Sequence, residues 1–90
     1  MYKLVWTNQF RRRARKFFSQ HNDLTERFKD CLKRIEKNPL DATLETHVLK
    51  GSLKGKLSIS LNYEYRIIIE IDRMENRIIF HDIGSHDEVY

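Results

Sequence analysis

Beyond a short alternating lead at residues 2–6, the apolar residues of this chain change period once, and that change limits what it can fold into. From Phe10 to Ile35 they recur at helical spacing, and from Leu57 onward they alternate. Phe10, Ala14, Phe17 and Phe18 mark one face of a helix of about three turns, with Arg11, Arg12, Arg13, Arg15 and Lys16 on its other faces. Thr7 stands where an N-cap is needed, and His21-Asn22 ends the helix. Leu24, Phe28, Cys31, Leu32 and Ile35 mark a second helix, for which Asp23-x-x-Glu26 has the form of a capping box. Asn38-Pro39 stops it, because a proline ring disfavours helix for the residue before it.

Residues 39–56 read as a connection containing two glycines, Gly51 and Gly55. Three strands then follow as a meander. The first alternates Leu57, Ile59, Leu61 and Tyr63 with polar residues and turns at Asn62-Tyr63-Glu64. The second runs from Tyr65 to Ile71, and the third covers 77–83 after a hairpin loop at Asp72–Asn76. Residues 2–6 alternate as a short leading strand, expected at a sheet edge or beside a later strand. The order β-α-α-β-β-β predicts an α+β fold, with a helical hairpin packed on one face of a twisted antiparallel sheet. The other face is expected to stay open, rimmed by the 46–56 loop and the C-terminus.

Ninety residues suit one domain, 1–90, with a single small core. One cysteine, Cys31, cannot form an internal disulfide and fits a reducing compartment, where it packs as a small apolar group. No run is long and apolar enough to span a bilayer, so a cytoplasmic protein without a membrane partner is expected. The net charge of +4 is divided unevenly. Residues 1–56 carry 14 Lys/Arg against 6 Asp/Glu, and residues 57–90 carry 3 against 7. The N-terminal half is therefore a candidate surface for a polyanion, either nucleic acid or an acidic protein segment. A solvated basic helix face would show the same pattern.

Chemistry-bearing residues fall on the expected open side. They are His47 in the glycine-containing connection, Lys54 and Lys56 after it, Glu64 and Arg66 around the middle turn, and His86 and Tyr90 at the C-terminus. The set suits phosphodiester cleavage without a metal or cofactor. Attack by a ribose 2′-OH needs a base, the leaving 5′-oxygen needs an acid, and the phosphorane needs cations or hydrogen-bond donors. Histidine serves either proton role near neutrality, and arginine matches phosphate oxygens bidentately. Each residue also has a plainer reading: His47 and His86 as surface groups, Glu64 as an ion-pair partner, His81 and His21 as structural. The four histidines show no zinc-ligand spacing.

Three segments taken together are more specific. His47-Val48-Leu49-Lys50-Gly51-Ser52-Leu53-Lys54-Gly55, Tyr65-Arg66-Ile67-Ile68-Ile69-Glu70-Ile71 and Ile83-Gly84-Ser85-His86-Asp87-Glu88-Val89-Tyr90 resemble toxins of type II toxin–antitoxin systems, in the RelE/ParE superfamily and most of all the YafQ-like mRNA interferases. The resemblance extends over the whole chain. It implies a microbial-ribonuclease-like fold, endoribonuclease action on mRNA at the 70S ribosome, and neutralisation by a cognate antitoxin. It also implies catalytic roles for His47, Glu64, His86 and Tyr90. Lys54, Lys56, Tyr65, Arg66, Arg11, Arg12 and Arg15 would contact RNA. Where such enzymes commonly carry a further histidine and an Asp-Trp pair, this chain has Ser60 and Glu64-Tyr65. Serine cannot do acid–base work, which favours an inactive antitoxin-binding module as one alternative; a gyrase-inhibiting toxin of the ParE type is another, against which His47 and His86 argue.

Overall fold

A computed structural model describes all residues, 1–90. The strands are β1 (Lys3–Trp6), β2 (His47–Val48), β3 (Leu57–Ser60), β4 (Tyr65–Asp72) and β5 (Arg77–Ser85). The helices are α1 (Asn8–Gln20), α2 (Thr25–Lys37) and a final short α3 (His86–Val89). They form one five-stranded sheet in the order β1-β5-β4-β3-β2. All pairings are antiparallel except β1 with β5, which is parallel. The parallel pair follows from the connection, since the chain leaves β1 through two helices and returns to β5 only after the meander.

Alternation sorts the strands as expected. Ile59, Leu61, Ile67, Ile69, Ile78 and Phe80 pack against Phe10 and Phe17 of α1 and Cys31 and Ile35 of α2. Trp6, Phe10 and Phe80 form a stack with ring centroids 4.5–5.3 Å apart, which ties β1, α1 and β5 together. The Thr7 hydroxyl accepts from the Phe10 N–H at 3.0 Å, as an N-cap should, and itself donates to the Phe80 carbonyl. Burial pushes the Cys31 thiol up from its ordinary value.

The entry to α2 differs from expectation. Asn22–Leu24 form a 3₁₀ turn, the residue preceding the helix is Leu24, and no side chain caps it. The Leu24 N–H donates to the His21 carbonyl at 3.0 Å and the Thr25 N–H to the Asn22 carbonyl, so backbone bonds do part of the work assigned to Asp23. The connection 39–56 is also more ordered than expected. It contains a 3₁₀ turn at Ala42–Leu44, the two-residue β2 on the sheet edge, and a turn at Gly51–Leu53. Gly51 and Gly55 both have positive φ, which is why the chain can reverse there. Finally, β5 runs two residues beyond 83 and leads directly into α3.

Candidate active site

Register brings distant residues together. On β4, Arg66 lies opposite Ser60 of β3 and Gly84 of β5. On β3, Ser58 lies opposite His47 of β2. The edge strand, the middle strand and the C-terminus therefore meet at one end of the sheet. Six of the residues there, His47, Tyr63, Glu64, Arg66, His86 and Tyr90, line a groove of about 420 Å³ together with Val48 and Leu49.

Arg66 is the best held of these side chains. Its Nε donates to the Ser58 hydroxyl at 2.8 Å and its Nη2 donates to the Glu45 carbonyl at 3.2 Å. Ser58 is fully buried, and Glu45 takes a left-handed backbone conformation, φ 48°, that turns the chain there. The guanidinium is thus fixed from two elements. Glu64 is set by an Asx turn in which the Asn62 side-chain oxygen accepts from the N–H groups of Glu64 and Tyr65, at 2.9 and 2.8 Å.

His86 and Tyr90 stand on α3, and a reciprocal cap holds that turn. The Ser85 hydroxyl accepts from the Glu88 N–H at 3.3 Å, and the Glu88 carboxylate accepts from the Ser85 N–H at 2.8 Å. The same backbone bond, then the hydroxyl, holds the Glu88 carboxyl below its ordinary range. Val89 is buried and anchors the turn from beneath. The His86 side chain is 69% exposed, and its ring meets the Tyr90 ring edge-on at 4.1 Å. A histidine in that setting is accessible and oriented, and an imidazole can give or take a proton.

The remaining sequence-derived candidates lie elsewhere. Tyr65 faces α1, edge-on to Phe17 at 4.9 Å and 4.8 Å from the His21 ring, in a neighbouring cleft that also borders Glu64. Desolvation, and then the Glu64 charge, push its phenol up. Lys54 is exposed after the Gly51–Leu53 turn and Lys56 lines a second groove. Arg11, Arg12 and Arg15 are exposed on α1, away from the His47–His86 groove. Arg11 and Arg15 border a shallow apolar trough of Trp6, Phe10, Phe18 and Phe28. Ser60 is almost buried, donates to the Asn62 carbonyl at 2.7 Å, and borders the crevice between α2 and β3. The sequence reading missed the Ser85–Glu88 cap, although Ser-x-x-Glu is a visible signal for it.

A family model for "Bacterial toxin of type II toxin-antitoxin system, YafQ" matches residues 2–90. The chain belongs to the YafQ family of type II toxins. Solved structures agree on the fold. The structure of YafQ from E. coli strain BL21(DE3) is 17% identical with a TM-score of 0.82, covering 100% of this chain and 99% of that one. A metal-bound toxin from Helicobacter pylori is 22% identical with a TM-score of 0.85 over the whole of both chains. The YoeB–YefM complex from Staphylococcus aureus is 25% identical with a TM-score of 0.74, covering 96% of this chain and 98% of that one. No curated protein matches. The α+β fold read from the residues is the fold of these toxins. No helix of this one is long and apolar enough to cross a membrane.

Proposed function

We propose that this YafQ-family toxin is an endoribonuclease that cleaves mRNA on the 70S ribosome, and that the His47–His86 groove is its active site. One observation carries the reading: a doubly anchored arginine lies in a single open groove with two histidines, a carboxylate and a terminal tyrosine. Arg66 holds the scissile phosphate and stabilises the phosphorane. His47 or Glu64 takes the proton from the ribose 2′-OH as the 2′-oxygen bonds to phosphorus. His86 gives a proton to the departing 5′-oxygen as the P–O5′ bond breaks, leaving a 2′,3′-cyclic phosphate and a 5′-hydroxyl. Tyr90 orients His86 and stacks on an unpaired base. The groove's own acid, base and cation balance this step, so no cofactor is assigned.

Lys54, Lys56 and the exposed arginines of α1 add electrostatic grip on RNA phosphates, which makes affinity salt-dependent. The same basic helix suits a cognate antitoxin. E. coli YafQ is seen in complex with DinJ and S. aureus YoeB with YefM. In this chain Arg11 and Arg15 beside the Trp6–Phe28 trough match an amphipathic acidic segment, apolar on one side and anionic on the other. The cytoplasm, where mRNA and ribosomes are, is the compartment this activity requires.

Primer extension on a defined mRNA, with and without ribosomes, tests the activity. His86→Ala should lower the cleavage rate roughly 10²–10⁴-fold if His86 is the acid. Equal cleavage by the variant and the wild type would remove His86 from the chemistry. DNA breaks with intact transcripts would favour gyrase inhibition.

A further inference from the structure

We infer that a second groove on the same sheet face binds a nucleobase next to the scissile phosphate, with His81, Gln9 and Lys56 as its polar contacts. The inference rests on the nuclease reading for its location, and on four features of the groove for its chemistry.

The first is position. Ile68 follows Arg66 by two residues on β4, so both point to the same face, about 7 Å apart along the strand. Ile68 floors the second groove as Arg66 floors the first. The two grooves also meet at the loop, where the Leu49 N–H of one donates to the Lys56 carbonyl of the other at 3.1 Å. An RNA strand with its phosphate on Arg66 would place a flanking nucleotide there.

The second is a β-bulge. Ile68 pairs with Asp82 and Ile69 with Phe80, so His81 has no residue opposite it. Such an insertion bends the strand and re-aims a side chain. Here the His81 ring comes to line the groove, with Nε2 2.9 Å from Glu70. Glu70 takes up Nε2 and leaves Nδ1 free to hydrogen-bond a polar edge of a base.

The third is polarity. The groove, of about 390 Å³, has apolar walls from Leu53, Ile68 and Val89 and a polar edge from Gln9, Lys56 and His81. A flat base with polar rims fits that division, whereas a bare phosphate would not use the apolar walls.

The fourth is charge. Asp82 is paired with Arg13 at 3.0 Å, and Glu70 is hydrogen-bonded to His81. Lys56 forms no ion pair, so its ammonium is free to meet an RNA strand.

Fluorescence anisotropy with short single-stranded RNA, blocked by a 2′-deoxy sugar at the cleavage point, tests this. An abasic residue is placed in turn on either side of that point. In the wild type, removing the base on one side should weaken binding about threefold to tenfold, the loss of one or two hydrogen bonds. In Lys56→Gln/His81→Gln the same removal should cost nothing more. Gln9→Ala/Lys56→Gln, which leaves the His81–Glu70 pair intact, should behave alike even if the His81 variant unfolds. An equal penalty in variants and wild type, or no penalty on either side, would overturn the inference. The binding pattern without any cleavage of unblocked RNA would instead remove the nuclease reading and keep the subsite.

Discussion

Gly84→Ala should lower the activity roughly tenfold while leaving the fold standing. Gly84 lies opposite Arg66 in extended strand backbone that alanine also adopts. A methyl group there would sit 3.0 Å from the Glu88 carboxylate oxygen, 3.2 Å from Glu88 Cβ and 3.4 Å from Val89 Cγ1. All three atoms belong to α3, and two of them belong to the residue that closes the cap on Ser85. The turn must therefore give by a few tenths of an ångström, and it carries His86 and Tyr90 with it. Overpacking costs about 1–3 kcal/mol, and replacing glycine returns about 0.4–1 kcal/mol through the unfolded chain. The net loss is at most about 2.6 kcal/mol, and the melting temperature should fall by no more than about 20 °C. Misplacement by 1 Å can cost about 10²-fold in rate, so a few tenths should cost roughly tenfold, mainly in kcat. A double-mutant cycle isolates the cause. In a His86→Ala background the added methyl should cost little, because the group it displaces is already gone. Additive losses, or an unchanged rate in the single variant, would refute the claim that the α3 turn positions the acid.

Two further outcomes follow from the same geometry. Glu88→Gln should reduce stability at neutral pH, and the difference from wild type should shrink as pH falls below the carboxyl's ordinary value of 4.5. The folded state favours the ionised Glu88, so its stabilisation is present above that value and is lost as the lowered folded pKa is passed; melting curves at several pH values check this, and a constant difference would contradict it. Arg66→Lys should lower kcat about 10–10²-fold with little loss of stability, because an ammonium keeps the charge but cannot span the Ser58 hydroxyl and the Glu45 carbonyl at once. Steady-state cleavage of a fluorogenic oligonucleotide measures it, and wild-type kcat in the variant would show that the fixed fork is unnecessary.

What the sequence made legible was periodic or local. The spacing of Phe10, Ala14 and Phe17 and the alternation of Ile67, Ile69 and Ile71 carry their own geometry, because a helix or strand buries whatever repeats with its period. Thr7 was readable for the same reason, its hydroxyl acting within three residues. Asp23 misled because a capping pattern does not say whether the chain enters the helix directly or through a 3₁₀ turn. The two residues of β2 were not legible because so short a run shows no period, and although β1 was expected at an edge or beside a later strand, its parallel pairing with β5 depends on a partner far along the chain. Tyr65 illustrates the limit for the site. Its neighbours Glu64 and Arg66 line the groove, but strand alternation sends its own ring to α1. Gathering His47, Arg66 and His86 in one groove required the strand registers, which a one-residue slip would have undone.

Ser60 shows how the parts depend on one another. It lies opposite Arg66, yet its hydroxyl is turned to the Asn62 carbonyl beside the crevice between α2 and β3. Asn62 in turn builds the turn that sets Glu64. The serine therefore works on the groove's scaffold, and in the proposed mechanism proton transfer falls to His47, Glu64 and His86. Of these, His86 is held by a four-residue turn with a reciprocal cap, one buried valine and a 3.4 Å bond from Arg13 Nη2 to the Glu88 carbonyl. A site whose proposed acid hangs on so short an element can be switched by whatever lifts that element from the sheet. Loosening α3 would take His86 and Tyr90 out of the groove together while leaving Arg66 and its two anchors in place.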